Sequence, residues 1–147
     1  MRVEPYTDKY HDDVCSLVEN FYAEAIGEYD GAFDKDATSN TFRALYGNQG
    51  IAFILVIEGK AEGIIGGLQS VSFGGGKRIF QELIWYVNIN HRRNGHLLLQ
   101  ALERHLQSEG FTSIIMAVME NSKTSKLKRL YSYLGYKPFE THFIKNL

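Results

Sequence analysis

The chain has 147 residues, 44% of them hydrophobic and 22% charged, with a net charge of −1 at neutral pH. That length and apolar share suit a single domain, 1–147, with a core of its own. No apolar run approaches about 20 residues and no charged-then-apolar leader opens the chain, so a membrane span and a secretory signal are not expected and a cytoplasmic protein is.

The one cysteine, Cys15, excludes an intramolecular disulfide and, among Val14, Leu17 and Val18, reads as a small core residue. The small net charge hides an asymmetry. Residues 1–40 carry ten acids and three bases, which is −7 and leaves +6 for the remainder. A globally basic nucleic-acid binder is disfavoured. The pattern fits a protein with one anion-attracting and one cation-attracting side, or two solvated surfaces of opposite sign.

In chain order, Val3 to Pro5 reads as a short strand. In TDKYHDDVCSLVENFYAEA the apolar Tyr10, Val14, Leu17, Val18, Phe21 and Tyr22 recur at helical spacing, with Thr7 or Asp8 as cap. The break GEYDGAFDKD precedes a second helix from Ala37 to Tyr46. GIAFILVIEGKAEGIIGGLQSVSF reads as a hairpin about EGKAEG, and GGGKR leads to the strand IFQELIWYVNI.

A helix from about Asn94 to Ser108 follows, stopped by Gly110, with leucines at 98, 102 and 106. FTSIIMAVM reads as a buried strand, SKTSKLKRLYSYLGY as a helix ending at Gly135, and KPFETHFIKNL as a last strand. Elements in the order β, α, α, β, β, β, α, β, α, β describe an α/β protein of the α+β type, a mixed central sheet with helices on both faces.

The segment NINHRRNGHLL carries the first chemical signal. A strand that ends in a basic turn and then starts a helix offers backbone N–H groups and the positive end of a helix dipole to an anion. Arg92 and Arg93 add charge, and Gly95 lets the backbone come close to a ligand. Neither a Walker A loop nor a dinucleotide fingerprint fits, and GGGKR fails the same spacings. His91 and His96 border the turn and His105 is expected to face solvent; with no HExxH or Cys-His cluster, no metal is expected.

VNINHRRNGHL resembles the acyl-CoA-binding segment of the GCN5-related N-acetyltransferases (GNAT), whose pattern is Arg or Gln, two residues, Gly, one residue, then Gly or Ala. Arg92 and Gly95 match, Leu97 departs, and Ile89 stands where proline is common. RLYSYLGYKPFE resembles the family's last-helix segment, with Tyr131 four residues before Gly135 and the aromatic Tyr136. Glu82 lies on the strand where relatives carry a glutamate, five residues before Val87. The resemblance covers roughly Gln81 to Glu140 and points, within the family, to the small subset often encoded by phage genomes.

It implies a GNAT fold and transfer of an acetyl group from acetyl-CoA to a primary amine. Glu82 would be the general base and Tyr131 the acid for the thiolate. Val87 and Ile89 would pair with the pantetheine arm, and Arg92, Arg93, Asn94, Gly95, His96 and Leu97 would surround the pyrophosphate. Asn121 or Thr124 would fill the family's asparagine position. The acceptor would be a small-molecule or peptide amine, with a cationic one favoured by the acidic N-terminal portion. Two readings compete: a catalytically degenerate CoA-binding module, suggested by Leu97, and a nucleic-acid-associated protein using Lys123, Lys126, Lys128 and Arg129, for which four charges on one helix are weak support. Oligomeric state has no signal in the sequence.

Overall fold

Runs rich in Ile, Val and Phe form the strands, and the sheet they build sets the position of everything else. The computed structural model describes residues 1–27, 31–119 and 124–147. Its strands are β1 (Arg2–Pro5), β2 (Gly50–Ile57), β3 (Lys60–Val71), β4 (Arg78–Val87) and β5 (Ser113–Ile115). They lie side by side in sequence order, antiparallel except for the parallel pair β4 and β5. β2 turns into β3 through Glu58 and Gly59, both at positive φ (50° and 86°), the signature of a two-residue hairpin turn that follows the twist of the strands.

Four α-helices complete the fold: α1 (His11–Phe21), α2 (Lys35–Tyr46), α3 (Gly95–Ser108) and α4 (Thr124–Tyr133). The single helix expected from Thr7 to Ala25 is three pieces: a 3-10 turn at Asp8–Tyr10, α1, and a π-helical turn at Tyr22–Ile26. Thr7 stands at the cap position, but its side chain makes no capping bond. α2 begins two residues earlier than the sequence suggests, because the Asp34 carboxylate accepts the Ala37 N–H at 2.9 Å. Gly110 and Gly135 end α3 and α4 at φ of 77° and 87°.

One face of the sheet is covered by α1 and α2, where Tyr10, Val14, Leu17 and Phe42 pack on Ile54, Val56, Ile64, Ile84 and Tyr86. The other is covered by α3, whose Leu98, Leu99, Leu102 and Leu106 pack on Phe53, Leu55, Ile65, Phe80 and Val87. Burying each such side chain contributes on the order of 1.5–3 kcal/mol. Cys15 is buried as expected. His105 is not a solvent-facing residue: it is half-buried, with its ring edge-on to Phe53 at 5.3 Å. No described helix is long and apolar enough to cross a membrane.

Two expected strands differ. FTSIIMAVM forms only the three-residue β5, half-exposed, because its neighbour β4 stops pairing with it after Gln81. Residues 137–147 form no strand, and Phe139 and Phe143 stand exposed. An alternating sequence needs an edge to pair with, and the free edge of β5 is shorter than the usual strand of about five residues.

Candidate active site

The site begins with an irregularity in the sheet. Between the pairs Gly66 with Ile84 and Gly67 with Glu82, β4 carries one extra residue, Leu83. Phe80 and Ile84, which simple alternation would put on the same face, therefore pack on opposite faces. Glycine is required here: a Cβ on Gly67 would lie 2.0 Å from the Gln81 carbonyl oxygen. β4 and β5 pair only from Ile79/Ser113 to Gln81/Ile115, so beyond Gln81 the two strands form a fork.

Glu82 stands at the base of that fork, 8% exposed. Its Oε2 accepts the Ala117 N–H at 2.9 Å, and the Ala117 carbonyl accepts the Tyr131 hydroxyl at 3.2 Å. The backbone of one residue, through its N–H and its carbonyl, thus joins the two residues singled out for catalysis, 49 positions apart in the chain. Burial pushes the Glu82 carboxyl up to about 7, against a smaller opposing effect of the Ala117 N–H. Burial, and then the charge of Glu82, push the Tyr131 phenol up as well, so it keeps its proton at neutral pH. Tyr131 stacks on Trp85 at 6.1 Å and packs on Tyr136 at 5.4 Å, and the Tyr136 hydroxyl donates to Glu103 on α3 at 2.7 Å.

Above the fork, the Asn88 N–H donates to the Glu62 carbonyl on β3, which turns the peptide groups of Val87 to the opposite, unpaired edge of β4. Ile89 lies beyond the strand end and is exposed. The stretch expected to be an open nest is a 3-10 turn, Ile89–Asn94, in which the His91 and Gly95 N–H groups already bond to the carbonyls of Asn88 and Arg92. Neither Asn88, before this turn, nor Asn94, before α3, makes a side-chain cap.

Arg92 turns away from the turn. Its Nε donates to the Val87 carbonyl at 3.3 Å, its Nη2 pairs with Glu24 of the π-helical turn, and its guanidinium lies over Tyr86. Arg93 is exposed. Gly95 is buried on Trp85 and Val87 at a helical φ of −57°, and a Cβ there would make ordinary contacts of 3.6 Å. Its place is thus set by packing of α3 and not by backbone strain. The His96 Nδ1 lies 2.9 Å from the Arg93 carbonyl, and Leu97 is half-buried in the first turn of α3. The Thr124 hydroxyl, at the start of α4, donates to the Met119 carbonyl at 2.7 Å. Asn121 and Lys123 lie outside the described residues. Among the described residues no three His, Cys, Asp or Glu side chains converge as metal ligands.

Two residues of the candidate site, and the bulge in β4, have no plain signal in the sequence. Ala117 acts through its backbone and leaves no side-chain signal. Trp85 reads as core but supplies the surface on which Tyr131 lies. The doublet Gly66-Gly67 was the visible sign, since paired glycines inside a strand mark a bulge or a close approach.

No protein-family model and no curated protein matches the sequence. Solved structures do match. A probable acetyltransferase superposes with a TM-score of 0.81 at 13% identity, over 100% of this chain and 99% of that one. An aminoglycoside acetyltransferase from an uncultured soil metagenomic sample gives 0.76 at 20% identity, over 99% and 97%. A GNAT family acetyltransferase from Staphylococcus aureus gives 0.73 at 13%, over 99% and 98%. With the mixed five-stranded sheet, the bulged β4 and the fork, these superpositions establish that the chain has the GNAT acetyltransferase fold.

Proposed function

We propose that this chain is a cytoplasmic N-acetyltransferase, 1–147 forming one acyl-CoA-binding domain, that transfers the acetyl group of acetyl-CoA to a primary amine by direct attack on the thioester. The observation that carries this reading is the Ala117 backbone, whose carbonyl accepts from Tyr131 and whose N–H donates to buried Glu82 at the base of an open strand fork. The edge of β4 at Val87, which no further described strand joins, is suited to a pantetheine arm added like a strand, with Ile89 just beyond the strand end beside it. The positive end of α3, uncapped by any side chain, and the exposed Arg93 supply favourable potential for the pyrophosphate near Asn94, Gly95, His96 and Leu97. Arg92, held by Glu24, would act there through its backbone. Asn121 or Thr124 would contact the cofactor from the start of α4.

The electrostatics suit the chemistry. A lysine-like ammonium has a pKa of about 10.4, so handing its proton to an ordinary glutamate is uphill by about six units, or roughly 8 kcal/mol. With Glu82 near 7 the step is uphill by about 3.4 units, roughly 5 kcal/mol, and half the carboxyl is still ionised at neutral pH. The ammonium N–H breaks and a proton joins Glu82. The freed lone pair attacks the thioester carbon, the C–S bond breaks, and the thiolate takes the Tyr131 proton. The amide nitrogen loses its remaining extra proton to restore Tyr131, and Glu82 releases its own to solvent. The acidic N-terminal forty residues favour a cationic acceptor, and aminoglycosides, the substrates named for one structural neighbour, are of that type.

The test is thiol release from acetyl-CoA with spermidine, kanamycin and a lysine-containing peptide, beside a thermal titration with acetyl-CoA. At a hundredfold excess over Kd, the donor should stabilise the fold by about 2.7 kcal/mol. Glu82→Gln should lower turnover roughly a hundredfold or more with that stabilisation intact. Stabilisation without release from any amine would favour the degenerate CoA-binding module, and a flat titration would overturn both readings.

A further inference from the structure

The C-terminal end of α1 is tied to the end of β4 by side chains that play no part in the proton transfers above. Phe21 packs on Tyr86 with ring centres 6.1 Å apart, and the Asn20 amide donates to the Asn88 side chain at 3.2 Å. Directly after Phe21 the helix widens into the π turn Tyr22–Ile26, a form rare in proteins and frequent at functional sites. That turn carries Glu24. The Tyr86 hydroxyl donates to its Oε1 at 2.7 Å, and Arg92 Nη2 pairs with its Oε2.

Arg92 is also engaged on the cofactor side. Its Nε donates to the Val87 carbonyl at 3.3 Å, on the edge of β4 turned away from β3. One guanidinium thus holds both the oxygen that a pantetheine amide would use and the carboxylate of the π turn. An N–H added like a strand bonds at about 2.9 Å, so it would displace the looser contact of Arg92. The diphosphate expected beside α3 offers the displaced guanidinium more charge than one carboxylate, in a bidentate geometry that suits arginine. The two side chains are 35% and 36% exposed, so their separation needs no opening of the core.

We propose that the Arg92–Glu24 pair is a latch across the cofactor edge of β4, which acetyl-CoA opens, and that its opening transfers Glu24 to a positive charge of the acceptor. The inference rests on the acetyltransferase reading and deepens it by naming a specificity residue. Tyr86 keeps the carboxylate in position while Arg92 is exchanged for an ammonium. Glu24 bonds to the face of β4 that packs on α1, whereas Glu82, two residues from Phe80, belongs to the face under α3. The charge that Glu24 takes is therefore a second ammonium of the acceptor and not the reacting one. Acceptors with two or more positive charges are the class selected, and the cofactor decides when they bind.

The test is calorimetric titration of spermidine into the whole chain, with and without saturating CoA. CoA carries no acetyl group, so binding is read without turnover. In the parent, CoA should tighten spermidine binding at least about tenfold, within the usual range for coupled sites. Glu24→Gln should bind spermidine weakly in both conditions. Arg92→Gln should bind it tightly in both, near the affinity that the parent reaches with CoA. Arg43→Gln, which removes the same charge from α2, should behave as the parent. Opposite effects of the first two variants are not expected from a pair that only joins α1 to the sheet.

Spermidine affinity that stays within about twofold with and without CoA in the parent would overturn the inference. So would coupling that survives in Glu24→Gln, or an Arg92→Gln that binds spermidine as weakly as the parent does without CoA. Where CoA binds and stabilises the parent, each of these results sinks this inference alone. No binding of CoA to the parent would remove the acetyltransferase reading, and this inference with it.

Discussion

The two halves of β4 are held in different ways. From Arg78 to Gln81 the strand is paired on both edges, with β3 on one side and β5 on the other, and Phe80 is fully buried under the leucines of α3. From Glu82 to Val87 it is paired with β3 alone, carries a carboxyl into the interior and leaves its other edge open. The first half resembles an ordinary core. The second tolerates features that would be destabilising alone, because the ladder and the α3 contacts beside it hold the strand in place. The ordered core and the proposed site thus occupy adjacent stretches of one strand, with the Leu83 bulge marking the change.

The largest effect should come from the ordered half. Leu102→Ala removes a side chain with no exposed surface and should cost about 2–5 kcal/mol in urea unfolding, while the turnover of the folded fraction stays near the parent value. A fall in turnover as large as the fall in stability would mean that the two halves are not separable.

The next effect lies in the open half and has the opposite sign. The Glu82 carboxyl titrates near 4.5 when unfolded and near 7 when folded, so the folded state binds its proton more tightly. Its contribution to stability is full below about pH 4.5 and is lost as the pH rises through 7, by up to roughly 3 kcal/mol. Glu82→Gln should therefore unfold at higher urea than the parent at pH 8 and at nearly the same urea at pH 4.5. An equal difference at both pH values would place the carboxylate in a solvated setting and undo the contrast between the halves.

The smallest effect concerns the partner across the fork. Tyr131→Phe breaks the bond to Ala117 and, under the proposed mechanism, removes the proton offered to the thiolate, and should lower turnover by about tenfold. The deficit should shrink with an acetyl thioester of a more acidic thiol, which leaves without help. An identical deficit with every donor would assign Tyr131 to packing on Trp85.

Much of the element order was readable because it follows from local rules. Tyr10, Val14 and Leu17 fall on the buried face of α1, Leu98, Leu102 and Leu106 on that of α3, and Gly110 and Gly135 end their helices in the left-handed region. The hairpin between β2 and β3 was equally plain about EGKAEG, although only Glu58 and Gly59 form its turn and the residues from Lys60 onward already belong to β3. Where prediction failed, the missing information was the partner. The buried strand expected in FTSIIMAVM stops at Ile115 because β4 departs, and the alternation in residues 137–147 finds no long edge to join.

For the candidate site, residue types were visible and their arrangement was not. Glu82, Tyr131 and the turn from Arg92 to Leu97 stand out in the sequence by type and spacing. That Glu82 and Tyr131 both bond to the Ala117 backbone and that Arg92 is taken up by Glu24 depend on contacts between segments tens of residues apart. Periodicity, caps and glycine positions act within a few residues, so the chain itself determined its helices, its hairpin and the identity of its candidate site residues. The direction of each side chain in the fork was decided by one extra residue in β4 and by which strand ran out of a neighbour, and those are properties of the folded sheet alone.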